Sequence, residues 1–326
     1  MILAVDIGGT KVNVALFKEE RNTLSLVQEL QFKSQDHPSF KEILQEIKKQ
    51  FSKKVIEKGC FGIAGPVINE KCITTNLPWS ITKKEITEIF QTDNIALLND
   101  LEATAYGMLY LDEEKFFPLN EKGEKKEANK AVIAAGTGLG EAQLFFDTKK
   151  YHPIGCEGGH TDFAPQTSIQ DELLKWLRKK FPSHVSYERI LCGKGIFDIY
   201  QFLCEYKNKP LHKDIVSATE EVDRSALITK LAIKENDNDA IDTLKLFSFI
   251  YGAEAGNLAL KSMSLGGVYI GGGIAPKILP ILKDHFMDGF LAKGRFQNLL
   301  EKIEVKISLD EKTALLGAAY FARDRF

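Results

Sequence analysis

The sequence predicts an α/β protein of two domains, on three observations. Short apolar strands alternate with amphipathic helical stretches along the chain. Its 326 residues are enough for two domains and a large buried core. A strand, glycine turn and strand open the chain, and a similar segment recurs near residue 131.

The opening run Ile2 to Val5 is apolar, ends at Asp6 and turns at Gly8-Gly9-Thr10. Val12, Val14 and Leu16 then alternate with other residues, which reads as a hairpin. Phe40, Ile43, Leu44 and Ile47 give helical spacing over residues 40–56. Cys60 to Ala64 and Ile95 to Leu98 read as buried strands, closed by Gly65-Pro66 and Asn99-Asp100. Leu101 to Met108 reads as a helix. Residues 119–130 are a charged loop, and Ala131 to Ala135 begins the second hairpin. Aligned without gaps, residues 2–15 and 129–142 share Ala4-Val5 with Ala131-Val132, Gly9-Thr10 with Gly136-Thr137, and Ala15 with Ala142. That likeness is either a duplicated unit, one per domain, or chance similarity between two hairpins. Amphipathic stretches follow at 170–180, 196–206, 217–233 and 239–263. Residues 267–270 and 303–307 are late strands, and 313–322 is a small-residue helix.

Composition excludes several classes. Lys and Arg total 43 against 45 Asp and Glu, a formal charge of -2, which argues against a broad nucleic-acid binder or a polybasic membrane surface. Five cysteines (Cys60, Cys72, Cys156, Cys192, Cys204) form no C-x-x-C and read as free thiols of a reducing compartment. No basic region precedes an apolar stretch at the start, and no run approaches the ~18–20 apolar residues of a membrane span. The expectation is a cytoplasmic protein.

Three glycine clusters each follow an apolar strand: Gly8-Gly9-Thr10, Gly136-Thr137-Gly138-Leu139-Gly140 and Gly271-Gly272-Gly273. Glycine lets backbone N–H groups approach an anion, and threonine adds a hydroxyl. Each cluster alone also suits a plain tight hairpin; three strand-terminal clusters together suit a polyphosphate. The pattern is neither a P-loop nor a dinucleotide fingerprint. Asp6, at the end of a buried strand, requires either a cation such as Mg²⁺ or a structural hydrogen bond. Asn99, Asp100, Glu157, His160 and Glu188 form a set rich in hydrogen-bond acceptors, which suits a ligand full of hydroxyls. Asn76 and Trp79 add a candidate amide and aromatic face, although a lone tryptophan equally suits a core.

These segments carry a family likeness. The chain closely resembles the bacterial hexokinase-type glucokinases of the actin-like ATPase superfamily, over essentially its whole length. The matching motifs include residues 4–10 (AVDIGGT), 62–67 (GIAGPV), 75–79 (TNLPW), 98–103 (LNDLEA), 135–140 (AGTGLG), 155–160 (GCEGGH), 251–257 (YGAEAGN), 271–274 (GGGI), 293–296 (KGRF) and 315–318 (LLGA). The resemblance implies a two-domain, ribonuclease-H-like fold with a ligand cleft between the domains. The small domain would be residues 1–108 completed by a C-terminal helix at 312–326, and the large domain 109–311. It implies that Asp6, Gly8, Gly9 and Thr10 form the first phosphate loop, and Gly136, Thr137 and Gly138 the second. Gly272 and Gly273 fall in the adenosine motif. Asn99, Asp100, Glu157, His160 and Glu188 match sugar-binding positions, with Asp100 as catalytic base. The expected reaction is phosphoryl transfer from ATP, with Mg²⁺ held near Asp6 through water, to the 6-hydroxyl of glucose. A homodimer is also implied.

Cys156 departs from the small Ser or Gly expected at its position. The related repressor and kinase group with a cysteine-rich zinc motif after its Glu-Gly-x-His segment is not matched, so no structural zinc is expected. The competing readings are a kinase for another hexose and a non-catalytic sugar sensor. An N-acetylhexosamine would be crowded by Glu157 and His160. A DNA-binding sensor would need a reader before the strand at Ile2.

Overall fold

The computed structural model describes residues 1–21, 23–74, 77–219 and 223–326. The chain divides into two compact units: Met1–Lys115 with Lys150–Gly155 and Asp310–Phe326, and Phe116–Lys149 with Cys156–Leu309.

The first unit begins with β1 (Ile2–Ile7), β2 (Lys11–Glu20), β3 (Thr23–Lys33), α1 (Phe40–Gln50) and β4 (Lys58–Ile63). It continues with three short strands, β5 (Val67–Ile68), β6 (Lys71–Ile73) and β7 (Ser80–Thr82), then α2 (Lys83–Phe90), β8 (Ile95–Asn99) and α3 (Asp100–Met108). Downstream lie β9 (Phe116–Pro118), β10 (Lys130–Ala135), β11 (Leu139–Phe146), β12 (Tyr151–Cys156) and the helices α4 (Ser168–Lys180), α5 (Gly193–Tyr206), α6 (Lys213–Ser217), α7 (Arg224–Lys234) and α8 (Asn238–Ser262). β13 (Val268–Gly271), α9 (Ile274–Leu291), α10 (Gln297–Leu300), β14 (Val305–Ser308) and α11 (Thr313–Arg325) complete the chain.

Two mixed sheets share one plan. The first runs β3-β2-β1-β4-β8, the second β12-β11-β10-β13-β14-β9. In each, a strand pairs antiparallel with its hairpin partner on one side and parallel with a later strand on the other. The hairpins differ in their turns. Ile7 pairs with Val12, so residues 8–11 form the first loop; Ala135 pairs with Leu139, so only 136–138 form the second. The gapless sequence alignment therefore slips in pairing: Ala4 faces Ala15, whereas Ala142 faces Val132 rather than Ala131.

Strand β1 is apolar up to Asp6 because both its faces are covered, one by α1 and the other by α11. Leu3, Val5 and Ile7 join Phe40, Ile43, Leu44 and Ile47 of α1 in one core. Ile2 and Ala4 join Ala318, Ala319 and Ala322 of α11 in another. In the second unit, Ala131, Ile133 and Ala135 of β10 share a core with Phe247 and Tyr251 of α8 and Phe286 and Phe290 of α9. The Tyr251 hydroxyl accepts from Ala135 N–H at 3.1 Å and donates to Ile133 C=O at 3.3 Å, pinning the end of β10 where the glycine turn begins.

Several boundaries differ from the sequence reading. The helix expected over 40–56 stops at Gln50, and the chain folds back before Ile56. Of the stretch expected at 217–233, Ser217 ends a short helix, α6, and a second helix, α7, begins only at Arg224. Asp223 starts the second by accepting from the Ser225 and Ala226 N–H groups. Strand β3 gave no clear alternation because most of its residues are exposed. Trp79 is core, 2% exposed, and donates its indole N–H to His37 C=O at 3.2 Å. Asn76 lies outside the described residues. Among those described, no helix is long and apolar enough to cross a membrane.

Helix α11 packs on α3 through small residues. A Cβ added at Gly317 would lie 1.8 Å from Ala103 C=O. Gly317→Ala is therefore expected to push the helices apart and cost roughly 1–3 kcal/mol. Thermal unfolding checks this, and an unchanged Tm contradicts it.

Candidate active site

In the first unit, the predicted phosphate turn is held from beneath. Ser34, fully buried, donates its hydroxyl to Gly8 C=O at 2.8 Å, and its N–H donates to Thr10 C=O at 2.9 Å. Gly8 N–H closes the turn on Lys11 C=O at 3.0 Å. The Thr10 side chain is left exposed. Asp6, one strand position before Ile7, accepts from Asn13 Nδ2 at 3.1 Å. Burial pushes its carboxyl above the usual range, against the smaller opposing effects of Asn13 and Lys11. A hard oxygen ligand whose ionised form is disfavoured by burial fits a divalent cation of the Mg²⁺ type, which would offset that cost.

Asn99 and Asp100 sit where β8 becomes α3. Asn99 is the N-cap: its Oδ1 accepts from Leu101 N–H at 2.8 Å, and its own N–H donates to Glu102 Oε2 at 2.8 Å, forming a capping box. Its amide also donates to Gly65 C=O at 3.1 Å, leaving one Nδ2 hydrogen for a ligand. Asp100 is the first helical residue, so its carboxylate lies at the positive end of α3. Glu102 Oε1 accepts in turn from Gly155 N–H at 3.0 Å.

In the second unit, three predicted elements share one scaffold. Gly136 N–H bonds Gly138 C=O at 2.8 Å within the β10–β11 turn, and Gly136 C=O accepts from Gly193 N–H at the start of α5 at 3.0 Å. Thr137 is exposed. Gly272 has φ +79°, and a Cβ there would meet Ala135 C=O at 2.3 Å; the position needs glycine both for conformation and for space. Gly273, the N-cap of α9, is exposed with nothing nearby.

The predicted sugar residues of this unit are brought together around one imidazole. His160 Nε2 lies 3.9 Å from Glu157 Oε2, and its Nδ1 lies 3.9 Å from Glu188 Oε1. Glu157 and His160 are largely exposed, and Glu188 is half-buried. Glu188 Oε2 accepts from Leu139 N–H at 3.1 Å, tying this group to the strand that leaves the 136–138 turn. Residues 158–160 form a single 3-10 turn lying on that same strand. A Cβ at Gly159 would lie 2.2 Å from Leu139 C=O, and one at Gly158 would lie 1.9 Å from Glu141 Oε2. The two glycines are thus a condition of seating Glu157 and His160 on β11.

Four residues of this framework escaped the sequence reading of the site. Glu102 was legible as the fourth residue of an Asn-x-x-Glu capping box. Ser34 carries no local signal, because it reaches the first turn from across β2 and β3. Glu141 and Glu254 are fully buried carboxyls that read as ordinary strand and helix residues. Burial, and then the charge of Glu254, push the Glu141 carboxyl up to about 8.

The Glucokinase family model matches residues 3–325. A glucokinase of Trichormus variabilis is 39% identical over 337 residues, which span 99% of this chain and 98% of that protein. The crystal structure of a glucokinase from an Antarctic psychrotroph is 29% identical, with a TM-score of 0.85, 99% of this chain covered and 98% of that one. The crystal structure of a Balamuthia mandrillaris glucokinase in complex with glucose is 20% identical, with a TM-score of 0.81 over 99% and 93%, and shares the fold. With a family model over nearly its full length and a relative of this identity over the same span, the chain belongs to the glucokinase family.

Proposed function

We propose that the protein transfers the γ-phosphoryl group of ATP to the 6-hydroxyl of D-glucose, giving glucose 6-phosphate and feeding glycolysis. The observation that carries this reading is the joining of Glu157, His160 and Glu188 to the strand leaving the 136–138 turn. Groups suited to hydroxyls and groups suited to phosphate are built on one rigid element.

The turns at 8–10 and 136–138 receive the phosphates through backbone N–H groups and the Thr10 and Thr137 hydroxyls. Gly272 and Gly273 leave open backbone for the adenosine. Glu157, His160 and Glu188 orient the sugar, with the remaining amide hydrogen of Asn99. Asp100 accepts the proton of the 6-hydroxyl from the first turn of α3 as that oxygen attacks the γ-phosphorus. Asp6 would hold Mg²⁺ through water; the ion, when bound, neutralises charge developing on the phosphates. The domains that close on the ligands are residues 1–108 with 312–326, and 109–311, and closure excludes water that would otherwise hydrolyse ATP. The enzyme works in the cytoplasm as a homodimer.

Two experiments test this reading. Asp100→Ala should lower kcat ~10²–10⁴-fold, as loss of a general base does, with a much smaller effect on glucose Kd by calorimetry; near-normal turnover removes Asp100 from its role. In an ATP-coupled panel of six-carbon sugars, kcat/KM for glucose should exceed that for fructose, mannose and N-acetylglucosamine by about tenfold or more, the factor that ~1.4 kcal/mol of lost hydrogen bonding gives. An equal value for another hexose overturns the choice of glucose.

A further inference from the structure

Beneath the sugar loop lies a buried ionisable cluster that the phosphoryl-transfer chemistry does not use. Glu141 of β11 is 1% exposed and Glu254 of α8 is 0% exposed. The Oε1 atom of each has no hydrogen-bond partner among the described residues, and neither has the buried Nζ of Lys293, just past α9. Lys261 Nζ stands 3.5 Å from Glu254 Oε1. Two contacts lead outward from the pair. Glu141 fills the space a Cβ at Gly158 would need, and Cys156 Sγ–H donates to its backbone C=O at 3.5 Å. Glu254 Oε2 accepts from Asn257 Nδ2 at 2.8 Å, and the same amide donates to the Tyr187 hydroxyl at 3.1 Å, next to Glu188. One carboxyl thus supports the arm bearing Glu157 and His160, and the other the arm bearing Glu188.

We propose that the buried Glu141–Glu254 pair is the positioning group for both arms of the sugar site, Glu141 seating the 158–160 turn and Glu254 the Tyr187 arm. The inference rests on the assignment of Glu157, His160 and Glu188 to the sugar. A proton on Glu141 lets that carboxyl act as a donor in the buried cluster, beside the Glu254 carboxyl that faces Lys261. Two ionised carboxyls in the same buried space would repel and unseat Gly158. The groups facing the pair are Tyr251 and Lys261 of α8, Tyr187 of the following arm, Cys156 of the loop and Lys293. Burial lowers Lys293 to about 8, so its cation is also lost on the alkaline side. Burial and Glu254 hold Glu141 neutral until about 8. The competent form, with Glu141 protonated, therefore predominates at neutral pH and falls as pH rises through that value. At pH 9 the competent fraction is about one tenth, and glucose KM rises about tenfold.

The experiment measures glucose KM and kcat from pH 6.5 to 9.5 for the full-length enzyme and its Glu141→Ala, Glu141→Gln and Glu157→Ala variants. Glu141→Ala is expected to raise KM by about tenfold at pH 7, with kcat at saturating glucose changed less than about threefold. Glu141→Gln, which keeps the shape and a donor, is expected to recover most of that affinity and to lose the alkaline rise in KM. A wild-type alkaline rise retained in Glu141→Gln overturns the proposal, as does a Glu141→Ala variant that loses kcat and not KM. If Glu141→Ala does not fold, the pH profile of Glu141→Gln decides alone. Glu157→Ala separates the two readings. An unchanged KM there defeats the sugar assignment and the proposal with it; a raised KM beside wild-type behaviour of both Glu141 variants defeats only the proposal.

Discussion

The close approach of the 158–160 turn to β11 is the constraint on which the second unit's site depends. Gly158 and Gly159 have no room for side chains because Glu141 and the Leu139 carbonyl occupy that space. The same strand begins at the 136–138 turn, and its first N–H holds Glu188. The backbone proposed to bind phosphate and the side chains proposed to bind sugar are therefore referenced to a few residues of one strand. A shift of that strand moves both sets together, which suits a reaction that relies on positioning more than on covalent chemistry.

The first unit achieves its geometry by different means. A buried serine from the end of β3 braces the glycine turn, and a capping box fixes the start of α3. The cap places Asp100 in the first turn of α3, where the helix N-terminus presents positive potential. Under the proposed function, anion binding here would need no basic patch. A chain of net charge -2 can take a polyphosphate through oriented amides and a cation held by a carboxylate.

Much of this was legible in the sequence. The β1–β2 and β10–β11 hairpins follow from alternation around glycine, and the α/β class from strands separated by helices. Glu157, His160 and Glu188, distant by up to 31 positions, were grouped by chemistry and meet in the fold. What escaped has physical reasons. The exposed strand β3 lacks a hydrophobic pattern, and the pairing slip between the hairpins depends on one loop residue. Ser34, Glu141 and Glu254 act through tertiary contacts that no local spacing encodes. Asn99 was read as a sugar contact alone, whereas most of its side chain serves the helix cap and Gly65.

The central claim is that sugar hydroxyls meet Glu157, His160 and Glu188 while the reacting hydroxyl meets Asp100. A crystal structure of the enzyme with glucose tests it most directly. The account predicts ring hydroxyls within hydrogen-bond distance of those three side chains and the 6-hydroxyl within about 2.6–3.2 Å of an Asp100 carboxylate oxygen. Glucose bound with its 6-hydroxyl directed away from Asp100, or seated without touching Glu157 and His160, would contradict it.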